Sequence, residues 1–105
     1  MITLESYGDQ VGSEVLTTDT LKGITSTLIT PTTGDYVGFR AKVAIIKCLT
    51  NVVNFRCDGT NPTATTGMQL AVGDYWTIVG TENIANFRAL DTSAGASEIR
   101  VLLYF

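Results

Sequence analysis

Apolar and polar residues alternate along much of this chain at the period of a β-strand, in which successive side chains point to opposite faces. Phe39, Ala41, Val43 and Ile45 fall on one side of a long run, with Arg40, Lys42 and Ala44 on the other. Val53, Phe55 and Cys57 alternate with Asn54 and Arg56. Met68 to Val72 is short and apolar, and Tyr75 to Val79 reads as a strand between Gly73-Asp74 and Gly80. Asn86 to Leu90 is another. Ile99, Val101, Leu103 and Phe105 share one face, while Arg100, Leu102 and Tyr104 take the opposite one. This last strand is apolar on much of both faces, which predicts a central or interface position. Nearer the start, Ile24 to Ile29 is rich in β-branched residues and stops at Pro31, so it also reads as a strand.

Helix signals are few. The one candidate runs from Thr17 to Gly23, where Asp19 caps a single turn. Strands at regular spacing, punctuated by Gly, Asp and Asn, predict an all-β fold: a single compact β-sandwich or jelly-roll-like domain. Residues 1–36 are threonine-rich, glycine-punctuated and acidic. They predict an extended or irregular N-terminal arm or edge segment ahead of a β-sandwich core over 37–105.

Composition narrows the class. The chain of 105 residues is 45% hydrophobic and 16% charged, with a net charge of −3. One core fits this length, and the low charge density is that of a globular chain. No Lys/Arg run offers a field for nucleic acid, so no nucleic-acid partner is expected. The opening residues lack a basic start and a long apolar stretch, and Val43 to Ile46 is too short to span a bilayer, so no targeting segment and no membrane partner are expected. Residues 1–36 hold Glu5, Asp9, Glu14, Asp19 and Asp35 against Lys22 alone, while the remainder carries the arginines. A solvated acidic face accounts for this, with contact to the basic part of a neighbouring copy as the alternative. A hairpin between Ala44–Cys48 and Val52–Cys57, turning near Thr50, sets Cys48 opposite Val52 or Val53. That register keeps the two cysteines apart as buried, reduced thiols.

The chemistry is marked by an absence: the chain has no histidine. The commonest general base and metal ligand are both missing, and a Ser-His-Asp or Cys-His site cannot be built. Two cysteines alone make no zinc site. Asp58 and Asp74 flank a polar loop and form the one carboxylate pair to consider; Asp58-Gly59 and Gly73-Asp74 read equally as turns in which Asp bonds its own backbone. No catalytic residues, cofactor or metal are therefore expected.

That polar loop, Asp58-Gly59-Thr60-Asn61-Pro62-Thr63-Ala64-Thr65-Thr66-Gly67, fails as a phosphate cradle. Its glycines are far apart, no Lys follows, and a strand comes next. It fails as a calcium loop for want of acids. It suits a stiff bend between strands: Asp58-Gly59 turns, Pro62 fixes one φ, the threonines bond backbone groups, and Gly67 permits a positive φ. The bend either stays in one sheet or crosses to the other. Arg56 and Arg88 each follow Asn-Phe. With Phe55 and Phe87 in the core, both arginines face outward, as surface ion pairs or as anchors for another subunit.

The order Val53-Asn54-Phe55-Arg56-Cys57-Asp58-Gly59-Thr60-Asn61-Pro62-Thr63, then Gly67, a short apolar strand, Gly73-Asp74, Asn86-Phe87-Arg88-Ala89 and a final alternating strand, resembles small tailed-bacteriophage virion proteins over residues 37–105. The resemblance implies a structural protein of the virion, assembled in the host cytoplasm, and a capsid decoration (cement) protein in particular. Such proteins bind the outer shell and stabilise capsomer contacts. Its partners would be the major capsid protein or other virion proteins and further copies of itself, a trimer before other states. Exposed members of Tyr75, Trp76, Leu102 and Tyr104 would supply the apolar part of the subunit contact, with Arg56 and Arg88 beside them. The alternatives are a tail, collar or head-fibre base protein, or a receptor- or carbohydrate-binding module in which Trp76 and Tyr75 stack on a sugar.

Overall fold

Two antiparallel sheets enclose one core in the computed structural model, which describes residues 10–18, 21–63, 65–92 and 97–105. The elements run β1 (Gln10–Thr17), α1 (Ser26–Ile29), β2 (Val43–Thr50), β3 (Val53–Arg56), β4 (Met68–Leu70), β5 (Tyr75–Val79), α2 (Thr81–Ala85), β6 (Arg88–Asp91) and β7 (Glu98–Tyr104). The larger sheet has the order β1-β7-β2-β5 and the smaller β4-β3-β6. The all-β, sandwich-like class is as the alternation predicts. The central place of β7 follows from its two apolar faces.

The inner face of the larger sheet carries Leu16, Ala44, Ile46, Cys48, Ile78, Ile99, Val101 and Leu103. Register explains the set, since Ile46 stands opposite both Val101 and Trp76, and Ala44 opposite Leu103 and Ile78. Val53, Phe55, Leu70 and Ala89 answer from the smaller sheet, and the Phe87 ring packs 5.8 Å from that of Phe55. Ile24, Ile29 and Ile84 close the core from the connections. Of the N-terminal segment expected over 1–36, the described part is an edge strand and one helical turn that contribute Leu16, Ile24 and Ile29 to this core.

Several local expectations are corrected. Residues 24–29 are no strand: Leu28 and Ile29 N–H both donate to the Thr25 carbonyl, making a single helical turn. Among residues 17, 18 and 21–23 no helix forms, since Thr17 ends β1 and Lys22 makes an isolated bridge to Ala89; Asp19 lies outside the described residues. The strand drawn from Phe39 starts only at Val43. Phe39 N–H instead closes a turn on Tyr36, and Phe39 is exposed. The core side of β2 is consequently Ala44, Ile46 and Cys48, the opposite phase to the one the alternation suggested.

The expected hairpin near Thr50 is absent, because β2 and β3 belong to different sheets. Asn51 turns the chain across with φ +54, a left-handed conformation that asparagine tolerates. A buried polar knot holds this crossing. The Ser97 hydroxyl donates to the Asn51 carbonyl at 2.8 Å and to that of Thr50. Thr18 N–H donates to the Ser97 carbonyl at 2.8 Å, and Asp91 N–H to that of Thr18 at 3.2 Å. Cys48 sits in the knot with its thiol on the Asn51 carbonyl at 2.9 Å. Cys48 and Cys57 are both free; Cys48 is buried as expected but Cys57 is only half-buried, and desolvation pushes both thiols above their ordinary pKa.

Candidate functional site

The polar bend is a backbone structure. Asp58 Oδ1 accepts the Thr60 N–H at 3.1 Å, and Gly59 takes φ +81. Thr63 and Thr66 bridge each other, with the Thr63 N–H on the Thr66 carbonyl at 3.2 Å. Asn54, buried on β3, donates its side-chain amide to the Thr63 carbonyl at 2.9 Å, and Pro62 is buried as well. The bend thus folds back over the outer face of the smaller sheet. It joins β3 to β4, which are neighbours, so it does not cross between sheets. Asp74 Oδ2 accepts the Ala71 N–H at 3.1 Å, so Asp58 and Asp74 each serve their own turn.

Arg56 and Arg88 are direct cross-strand partners on β3 and β6. They are used differently. Arg56 grips Asp58 through two nitrogens at 3.1 and 2.5 Å. Arg88 donates to the Phe87 carbonyl at 2.6 Å and to the Ala85 carbonyl at 3.1 Å, which ties down the end of α2. The Arg56 guanidinium holds the Asp58 carboxyl below its ordinary value, and the Thr60 N–H adds to this. A lowered folded pKa makes the pair's support complete above the ordinary carboxylate range and lost as pH falls through the folded value. In an acid titration followed by NMR, Asp58 should therefore titrate below an ordinary aspartate, and Arg56→Ala should move it up; equal midpoints in both proteins would show that the pair does not form in solution.

The outer face of the larger sheet is the second feature. Register sets its rows: Val15, Arg100, Lys47 and Tyr75 in one, then Ser13, Leu102, Ile45 and Thr77, then Tyr104, Val43 and Val79. The centre of this face is apolar and one end is basic, with Arg100 held by Glu98 at 3.4 Å. Leu102 is 39% exposed, Val79 50% and Tyr75 69%, while Tyr104 is buried at 9%. Of the apolar candidates, Tyr75, Leu102 and Tyr104 therefore share a face. Val15, Ile45 and Val79 complete it. No alternation in β1, β2 or β5 marks these three, since β2 and β5 are apolar on both faces, and only the pairing order brings those positions together.

Trp76 is on the other side. It stands on the inner phase opposite Ile46, 47% exposed at the mouth of the sandwich, with its ring 6.1 Å from Phe55. There it rims a cleft of about 490 Å³ with Met68, Asn83 and the Arg56–Asp58 pair. Tyr75 and Trp76 point to opposite faces and cannot stack on one sugar ring together. No protein-family model matches the chain, and neither does any curated protein or solved structure at a significant level.

Proposed function

We propose that this chain is a structural protein of a tailed-phage particle, a decoration protein that seats the outer face of its four-stranded sheet on the capsid shell. One observation carries the contact: that face has Leu102 and Ile45 at its centre, the exposed Val79 and Tyr75 along one side, and charge only at one end, the layout of a protein interface. The virion setting rests on the sequence resemblance over residues 37–105. The mechanism is mass action. A protein that binds the assembled shell and not its loose subunits stabilises the shell by its binding free energy, multiplied over many copies.

The test is co-sedimentation of the purified chain with phage heads lacking it, and with isolated tails in parallel. Saturable binding to heads at hundreds of copies is expected. Leu102→Asp, which places a carboxylate in the centre of the face and outside the core, should weaken binding at least tenfold, about 1.4 kcal/mol or more. Binding to tails alone would replace the shell with the tail or collar as its place. Unchanged binding by Leu102→Asp would move the contact off this face.

A further inference from the structure

Each sheet has two edges, and an open edge is a template for pairing with another chain unless something blunts it. Three of these edges are blunted. β1 has a register break between Gln10 and Gly12, and its Glu14 stands on the inner phase opposite Val101, where its carboxylate takes the Thr25 N–H at 3.0 Å. β4 is only three residues long. β6 is covered by Lys22, which exchanges backbone hydrogen bonds of 3.0 and 2.8 Å with Ala89. Among the described residues, β5 has no such device beyond the Asn83 side chain at its last residue. Tyr75-Trp76-Thr77-Ile78-Val79 holds no charge, no proline and no register break, and among the described residues it pairs with β2 alone.

The ladder fixes where the free backbone groups of β5 point. Cys48 N–H donates to the Asp74 carbonyl at 3.0 Å, and Gly80 N–H to the Lys42 carbonyl at 2.8 Å. Bonded and non-bonded pairs alternate in an antiparallel ladder, so Trp76 and Ile78 turn their groups to β2. Tyr75, Thr77 and Val79 turn theirs to the open edge. The Val79 carbonyl also receives the Asn83 amide at 2.9 Å, which uses one of its two lone pairs.

We propose that two copies of this chain join edge to edge through β5, antiparallel about a two-fold axis at Thr77, into one continuous sheet. In that register Thr77 meets Thr77 of the second copy, and Tyr75 meets Val79. All the outward-pointing groups are then paired, whereas a shift of the axis to Trp76 or Ile78 leaves one residue of the three without a partner. The exposed Tyr75 and Val79 become a cross-strand pair, and so do Trp76 and Ile78 on the inner side. A second copy is the fitting occupant because the strand is its own complement: uncharged, of equal length and with matching outward groups. A two-fold contact closes a pair, so the trimer implied by the resemblance would need a separate surface. This contact does not depend on what the outer face touches.

Two measurements test it. Thr77→Pro removes one outward N–H and none of the β2 ladder, a change an edge strand accepts. In sedimentation equilibrium the native chain should associate to a dimer and Thr77→Pro at least tenfold more weakly, with near-UV circular dichroism confirming the fold. Separately, residues facing each other in a bonded pair lie about 5.5 Å apart, within reach of a disulfide. In a Cys57→Ser background, oxidised Thr77→Cys should run as a covalent dimer, and Tyr75→Cys, which faces Val79, should not. A native chain that stays monomeric at millimolar concentration, an undiminished Thr77→Pro dimer, or equal cross-linking of the two cysteine variants would each overturn the proposal.

Discussion

Phe87→Ala is expected to cost about 3–5 kcal/mol, the range for deleting a fully buried aromatic side chain. Phe87 is 0% exposed and its ring packs 5.8 Å from Phe55, between the two sheets. The backbone at this position is fixed, with the Phe87 carbonyl held by Arg88 and its N–H by Ile84. Domains of this size hold only about 5–15 kcal/mol in all, so the urea midpoint should fall by about 1 M or more. Phe87→Leu, which keeps most of the volume, should cost about 1–2 kcal/mol. A cost below about 1 kcal/mol for the alanine variant would mean that the two sheets do not meet at this ring.

Gly67→Ala should be nearly as damaging, although it adds one methyl group at an exposed position. Gly67 has φ +112, a conformation that side chains seldom adopt. A β-carbon there would stand 3.0 Å from the Phe55 carbonyl and 3.1 Å from Pro62 Cβ. Strained backbone and forced displacement together cost about 2–4 kcal/mol. Gly73→Ala is the comparison: its φ is similar, at +89, but a β-carbon would meet nothing within 4 Å. It should lose only the conformational part, about 1 kcal/mol. Equal losses at the two sites would show that the tight approach at Gly67 contributes nothing.

Much of the fold was legible in the alternation because alternation is a local property. β5 has the bounds its turn signals set, and β7 is the central strand its two apolar faces required. The errors arose where the deciding contact was distant. Thr25 to Ile29 is β-branched enough for a strand, yet Glu14 of β1 takes the Thr25 N–H and the segment turns instead. β2 and β3 are adjacent in sequence but lie in different sheets, and the buried Ser97 that holds the crossing comes from a residue 46 positions away. α2, at five residues, is too short to show a helical period. For the candidate surface, Tyr75, Leu102 and Tyr104 were visible as exposed or interface residues. Their union into one face with Val15 and Ile45 needed the strand order, which no single stretch of sequence contains.

The pairing of β1 with β7 also sets the timing of folding. β7 lies between β1 and β2, so β1 cannot join the larger sheet until residues 98–104 have been synthesised. Such non-local closure places the chain among the slow folders, in milliseconds to seconds. Until then β2 and β5 can form only a two-stranded ribbon, with the second edge of β2 open where β7 will dock.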